Sequence, residues 1–123
     1  MRLLLDTHVA IWWDAGLPLA PAAHDAIASA HEVYLSAASS WELAIKAALG
    51  KVTTSRSLAT VASDSGFLEL PVLVRHTERL AELPPIHRDP FDRLLVAQAL
   101  VEGLTLVTRD AQLVEYPVAT IAG

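Results

Sequence analysis

Four acidic side chains stand where the chain is expected to turn at one edge of a sheet: Asp6, Glu42, Asp92 and Asp110. Asp6 directly follows the short apolar run 2–5, and Asp110 follows a second apolar run at 104–108. Such runs are typical of strands in a parallel sheet that is covered on both faces. Ligands of these sheets bind beyond the carboxyl ends of the strands, where both acids fall. Each of the two acids could instead cap the helix that follows it.

Glu42 lies near the start of a helix that is predicted over residues 36–51. Serines at its beginning offer N-caps, and Gly50 is the expected C-terminal stop. An apolar stripe with a spacing of four residues runs beside Glu42 and consists of Trp41, Ile45 and Leu49. The ordinary alternative for Glu42 is an interaction with the helix dipole or a pairing with Lys46.

The stretch 87–93, His-Arg-Asp-Pro-Phe-Asp-Arg, places two acids at the mouth of an apolar helix. Asp89 precedes Pro90, which predicts an N-cap followed by proline at the first helical position. Asp92 then takes the third helical position, where a capping box has its acid. Both acids could therefore serve only to start the helix. We assign the cap to Asp89 and the functional role to Asp92. Asp92 lies one helical turn further on and is expected to face the rim, the edge of the sheet formed by the carboxyl ends of the strands.

Strand-like and helical segments alternate along the chain in the order β-α-α-β-α-α-β-α-α-β-α-β. This alternation predicts a single α/β domain over residues 1–123, with a mostly parallel central sheet of four to five strands sandwiched by helices. Strands are expected at 2–6, 32–36, 67–72, 104–108 and 117–121, the third of them at an edge. Helices are expected at 7–13, 21–30, 36–51, 58–62, 75–83, 89–102 and 111–115, with a polar connection at 52–57. Trp12 and Trp13 are interpreted as core and dimer-contact residues.

The composition sets bounds on the function. The chain has 123 residues, enough for a core of its own, and it has no cysteine, which excludes thiol catalysis and zinc–thiolate sites. Its formal net charge is −5, so binding of nucleic acid would need local basic groups or bound cations. No apolar run approaches the roughly 20 residues of a membrane span, and no signal-peptide core is present. We therefore expect a soluble, cytoplasmic protein.

The four acids are expected to converge, because the carboxyl ends of parallel strands lie along one rim. Carboxylates so close would repel one another and raise their pKa values, and a bound divalent cation removes that conflict. Oxygen ligands favour Mg²⁺ or Mn²⁺ over zinc. One or two such cations suit phosphodiester hydrolysis, because they acidify a water and stabilise the leaving oxygen. Basic side chains near the rim that could contact RNA phosphates or a protein partner are Lys46, Arg88, Arg93 and Arg109.

Four segments carry a resemblance to a known family: Leu-Leu-Asp-Thr-His at 4–8, Ser-Trp-Glu-Leu at 40–43, His-Arg-Asp-Pro-Phe-Asp-Arg at 87–93 and Val-Thr-Arg-Asp at 107–110. Together they resemble the PIN-domain ribonucleases, and within them the VapC toxins of bacterial toxin–antitoxin pairs. The resemblance spans nearly the whole chain in the right order. It implies a Mg²⁺-dependent endoribonuclease, with Mn²⁺ as a substitute, that acts on tRNA, rRNA or mRNA. It also implies a homodimer and inhibition by a VapB-type antitoxin.

The resemblance also implies roles for individual residues. The acidic positions of the family match the four acids named above, and its accompanying hydroxyl residues match Thr7 and Thr108. Asp89 is an extra acid that is found in part of the family. We expect the cation to be held by Asp6, Asp92 and Asp110. We expect Glu42 to complete the coordination shell of the cation or to orient the attacking water.

Two other functions compete with nuclease activity. An aspartyl-phosphate phosphatase would use Asp6 as its nucleophile, but similar enzymes carry a second acid two residues later, where this chain has His8. A non-catalytic α/β binding module would use the acids only as helix caps and would act through a protein partner. A saturable stabilisation by Mn²⁺ separates a cation site from capping acids.

Overall fold

The protein is built on one sheet of five parallel strands, in the order β3-β2-β1-β4-β5. A computed structural model describes residues 1–51 and 56–123, and the predicted connection at 52–57 lies mostly outside these residues. The strands are β1 (Arg2–Leu5), β2 (Glu32–Ser36), β3 (Leu68–Leu70), β4 (Thr105–Thr108) and β5 (Thr120–Ala122). The predicted α/β class, the parallel sheet and the edge position of the third strand are confirmed.

Strand β1 is the centre of the sheet. Leu3 pairs with Val33 of β2 on one side and with Thr105 of β4 on the other. The side chains of Leu3, Leu4 and Leu5 are fully buried. A continuous apolar run is the pattern that a parallel strand covered on both faces requires. The end of β1, where Asp6 lies, is therefore flanked by the ends of two other strands.

Six α-helices in the described residues cover the two faces of this sheet. They are α1 (Thr7–Ala15), α2 (Pro21–Ser29), α3 (Ala37–Ala48), α4 (Leu58–Ser65), α5 (Val74–Leu80) and α6 (Pro90–Glu102). Leu3 and Leu5 point into a core with residues of α1, α2 and α4, whereas Leu4 points into a second core that is dominated by α6. In the described part of the chain, no helix is long and apolar enough to cross a membrane.

The ends of the chain's last elements differ from the sequence-based expectation. The helix expected at 111–115 is a single 3₁₀ turn at Leu113–Glu115, and the last strand begins at Thr120 rather than at Pro117. The Val118 amide donates to the Tyr116 carbonyl at 2.8 Å in a local turn, so the ladder with β4 begins only after it. Trp12 and Trp13 are half-buried against the first core, as predicted for their packing role.

The predicted caps that begin the helices near the rim are present. Asp6 caps α1 by accepting from the Val9 amide at 2.9 Å, and Ser36 caps α3 by accepting from the Ala38 amide at 3.0 Å. At α6, Asp89 Oδ1 accepts from the amides of Phe91 and Asp92, at 2.8 and 3.3 Å. These bonds satisfy backbone donors that have no partner inside a helix. They also fix where each helix leaves the rim.

The cap at α6 can be tested with a pair of variants. Asp89→Ala should lower the free energy of unfolding by about 1 kcal/mol. Asp89→Asn should have a free energy of unfolding close to that of the wild-type protein, because asparagine is an equally good N-cap. Both variants remove the charge beside Asp92, so the difference between them isolates the cap. Urea denaturation measures the effect. Equal stabilities of the two variants would contradict a capping role.

Candidate active site

The carboxyl ends of β1, β2 and β4 form the rim on which the predicted acids lie. Asp6 follows β1, and Asp110 follows β4 after one residue. Helix α3 begins directly after β2 and carries Glu42, and α6 returns to the same rim and carries Asp92 near its start. Four different elements therefore bring one carboxylate each to this edge of the sheet.

Asp6 is almost completely buried, and it both caps α1 and faces the site. Its Oδ1 accepts from the Val9 amide, and its Oδ2 accepts from the hydroxyl of Thr108 at 2.6 Å. Burial raises the pKa of Asp6, although these hydrogen bonds act in the opposite direction. A charge that is costly to bury is stabilised when a cation lies beside it. One side chain thus caps α1 and also lies at the edge of the sheet where a functional acid was predicted.

Glu42 is 2% exposed and lies in a polar cluster between α1 and α3. The hydroxyl of Thr7 lies 2.8 Å from Glu42 Oε1 and 2.8 Å from Ser39 Oγ. Lys46 Nζ donates to Glu42 Oε2 at 2.6 Å, and this bond raises the pKa of Lys46. The predicted pairing of Glu42 with Lys46 is therefore present, but the carboxylate that takes part in it is buried.

The apolar stripe on α3 lies on the solvent side of the helix. Trp41 is 59% exposed and Leu49 is 63% exposed, and Ile45 is exposed as well. Trp41 packs edge-to-face on Phe91 of α6, with ring centroids 4.9 Å apart. Helix α3 thus turns Glu42 inward and its large apolar side chains outward, which a spacing pattern alone does not reveal.

Asp92 and Asp110 meet at the ring of His87. His87 Nε2 lies 2.8 Å from Asp110 Oδ2 and 3.3 Å from Asp92 Oδ2. One donor atom from each of these three residues lies within 4.8 Å of the others, which is compact enough to surround one cation. Burial acts to raise the pKa of Asp110, but hydrogen bonds from His87 and from the Gln112 amide outweigh it and lower that pKa.

Asp92 carries the clearest electrostatic sign that the acids share a cleft. Burial raises its pKa to about 7, and the charges of Asp89, Glu42 and Asp6 raise it as well, whereas His87 lowers it. Three other carboxylates are therefore close enough to act on one side chain. Like charges that raise a carboxyl pKa in this way are a frequent property of functional sites.

His87 is the site residue that the sequence-based assignment missed. It belongs to the 87–93 segment, in which the two acids and the two arginines were assigned but the histidine was not. The available signal was its spacing: a histidine two residues before the N-cap can accept from that residue's backbone amide. The Asp89 amide donates to His87 Nδ1 at 3.0 Å.

The basic residues predicted near the rim divide into two groups. Arg109 lies over the Trp12 ring, 4.0 Å from its centroid, and donates to the carbonyls of Pro18 and Gly123. Arg93 donates to the carbonyls of Pro84 and Leu80. Both arginines thus hold the chain around the site, whereas Arg88 is exposed to solvent.

The donor set fits a divalent cation. It is dominated by carboxylate oxygens, which hard cations such as Mg²⁺ and Mn²⁺ prefer. Burial raises the pKa of Asp92, and the negative charges of Asp89, Glu42 and Asp6 raise it further. A bound divalent cation would compensate this charge.

The fold and the site define a class: a parallel α/β domain with a carboxylate cluster at its strand ends. The sequence matches the PIN domain family over residues 3–119. It is 35% identical over 119 residues to Ribonuclease VapC22 of Mycobacterium tuberculosis, covering 90% of this chain and 88% of that protein.

Two solved structures share the fold. The VapBC2 structure from Rickettsia felis, bound to a promoter DNA fragment, matches with a TM-score of 0.72 at 17% identity and covers 98% of each chain. The DNA-bound VapBC structure from Salmonella typhimurium matches with a TM-score of 0.69 at 20% identity, covering 99% of this chain and 97% of that one. The chain therefore belongs to the PIN-domain family, and within it to the VapC-type proteins.

The pKa of Asp92 predicts a pH dependence of stability in metal-free protein. The ordinary value is 3.8 and the folded value is about 7. Between these values the folded state keeps a proton that the unfolded state has lost, so the free energy of unfolding falls as the pH rises. Above the folded value this contribution stays constant.

Urea denaturation in EDTA, at a series of pH values between about 4 and 7, measures the effect. The free energy of unfolding of the wild-type protein should fall more steeply with pH than that of Asp92→Asn, which has no carboxyl group at this position. Equal slopes for the two proteins would contradict the raised pKa.

Proposed function

We propose that this protein is a metal-dependent endoribonuclease toxin that cleaves RNA with an activated water and is neutralised by a VapB-type antitoxin. The observation that carries the proposal is the convergence of Asp6, Glu42, Asp92 and Asp110, from four elements, on one rim. Capping alone does not require that convergence, because a cap acts only on its own helix. Membership of the family that includes Ribonuclease VapC22 supports RNA as the substrate.

Asp6, Asp92 and Asp110 are the proposed cation ligands, directly or through water, with Mg²⁺ as the expected ion and Mn²⁺ as a substitute. When bound, the cation would lower the pKa of a water, orient the phosphate and stabilise the leaving oxygen. Thr108 supports two of these ligands, since its hydroxyl donates to Asp6 Oδ2 and accepts from the Asp110 amide at 3.1 Å. A displacement of β4 would therefore disturb both carboxylates.

Glu42 is the proposed general base, or the group that orients the attacking water. Its carboxylate is held from two sides, by the Thr7 hydroxyl and by the Lys46 ammonium. A base must be fixed within hydrogen-bond reach of the water whose proton it accepts. In-line attack of that water on phosphorus would release the 3′-oxygen as a hydroxyl and leave a 5′-phosphate.

The basic groups around the rim are proposed to offset the charge of −5 where RNA approaches. Arg88 is exposed and directly follows His87. Of the four predicted basic side chains, it is therefore best placed to contact a phosphate beside the cleavage site. Lys46 is engaged by Glu42, and Arg93 and Arg109 are engaged by backbone carbonyls. Phosphate contacts of this kind contribute affinity but no sequence preference.

The partner and the location are proposed from membership of the family. The similar solved structures from Rickettsia felis and Salmonella typhimurium are of VapBC bound to DNA. We propose by extension that a VapB-type antitoxin binds this chain, and that the protein acts in the cytoplasm, where its RNA substrates are. The homodimer stays a prediction.

Replacement of one carboxylate tests the activity. Asp6→Asn should reduce cleavage of bulk tRNA and ribosomal RNA in Mg²⁺ by more than about 100-fold, since even the loss of an outer-shell partner costs about 10–100-fold. The fold should persist, because asparagine has nearly the same volume and still caps α1. Asp25→Asn is the matched control, since the side chain of Asp25 is 86% exposed and lies outside the rim.

Gel electrophoresis of the RNA, together with analysis of the new ends, measures the effect. Products should carry 5′-phosphates, and EDTA should stop the reaction of the wild-type protein. Undiminished cleavage by Asp6→Asn would contradict the assignment. Absence of cleavage and of any Mn²⁺-dependent stabilisation in the wild-type protein would instead favour the non-catalytic binding module.

A further inference from the structure

His87 lies at the centre of the acidic cluster, although the proposed mechanism assigns it no task. Its side chain is 13% exposed, and its Nε2 lies between the carboxylates of Asp92 and Asp110. The two acids come from different elements, α6 and the segment after β4. The ring thus contacts both of them.

The hydrogen bond at the far side of the ring fixes its protonation pattern. The Asp89 amide donates to His87 Nδ1 at 3.0 Å, so Nδ1 must carry a lone pair. In a neutral imidazole the hydrogen then lies on Nε2, which becomes a donor. A nitrogen that carries a hydrogen cannot bind a metal ion. His87 therefore presents an N–H to the two carboxylates for as long as the Asp89 contact persists.

The position of His87 is fixed from the backbone as well. The His87 amide donates to Tyr116 Oη at 2.8 Å, and Tyr116 is 3% exposed. The Asp89 amide that holds the ring belongs to the residue that caps α6. The start of α6 and the orientation of the ring are consequently set by the same short segment.

We propose that His87 is a positioning residue that sets the separation of Asp92 and Asp110 for the cation, as a hydrogen-bond donor to Asp110 in close polar contact with Asp92 and not as a metal ligand. The proposal rests on the proposed cation site. Two carboxylates on different elements repel each other, and an N–H that donates to Asp110 and lies 3.3 Å from Asp92 offsets this repulsion. His87 Nε2 approaches Oδ2 of each acid, and Asp110 Oδ1 accepts from the Gln112 amide at 2.9 Å. Outer-shell donors of this kind orient ligands in metal sites.

A pair of variants separates a donor from a ligand. His87→Ala removes the donor, whereas His87→Gln keeps an N–H at a similar distance from the backbone. Mn²⁺ affinity of the intact protein, measured by calorimetry, should fall about 10–100-fold in His87→Ala and should be largely restored in His87→Gln. His24→Ala is the control, since the side chain of His24 is 61% exposed and packs on Trp13 away from the rim. The Mn²⁺ affinity of this variant should equal that of the wild-type protein.

The absorption spectrum of bound Co²⁺ provides a readout that does not depend on activity. The spectrum of His87→Gln should match that of the wild-type protein, because the same oxygen ligands surround the ion. A spectrum that changes in His87→Gln, with affinity as low as in His87→Ala, would overturn the proposal and make the ring a ligand. Unchanged Mn²⁺ affinity in a folded His87→Ala would overturn it too.

Thermal unfolding of the metal-free variants shows whether each is folded. If His87→Ala does not fold, the comparison of His87→Gln with the wild-type protein decides between donor and ligand. If the proposed function is wrong, the result is different, because the wild-type protein itself would then show no saturable Mn²⁺ binding.

Discussion

The repulsion among carboxylates at one rim is the constraint on which the rest of the site depends. Parallel strands bring their ends together, and this chain places an acid at or near three of those ends and another at the start of α6. The cost is visible at Asp92, whose pKa rises to about 7 because it is buried beside other acids. Such a cluster is stable only if hydrogen bonds or cations offset the repulsion. The neighbouring donors, namely Thr7, Lys46, His87 and Thr108, are arranged to do so.

Helix capping and the acidic site share the same side chains. Asp6 caps α1 through one oxygen and accepts from Thr108 through the other. Asp89 caps α6 with its side chain and holds the His87 ring with its amide. Caps lie where helices meet strand ends, and in a parallel sheet that is also where ligands bind. The same two residues therefore set the starts of α1 and α6 and bind neighbouring groups of the acidic site.

Much of this arrangement could be predicted from the sequence, because it depends on local patterns. Apolar runs located β1 and β4, and the Asp89–Pro90 pair located the start of α6. Other features depend on contacts between distant segments, which local patterns do not encode. The outward rotation of Trp41 is set by the packing of α3 on the sheet and on α6. The bond of His87 to Asp110 and the stacking of Arg109 on Trp12 likewise join residues far apart in the chain.

We propose that the carboxylates of Asp6, Asp92 and Asp110 form a single cation site. Diffraction from crystals grown with Mn²⁺, recorded at a wavelength where manganese scatters anomalously, tests this claim most directly. We expect an anomalous peak in the cleft, at about 2.0–2.4 Å from carboxylate oxygens of Asp92 and Asp110 and within direct or water-mediated reach of Asp6. A fully occupied peak elsewhere, or an empty cleft at saturating Mn²⁺, would contradict it.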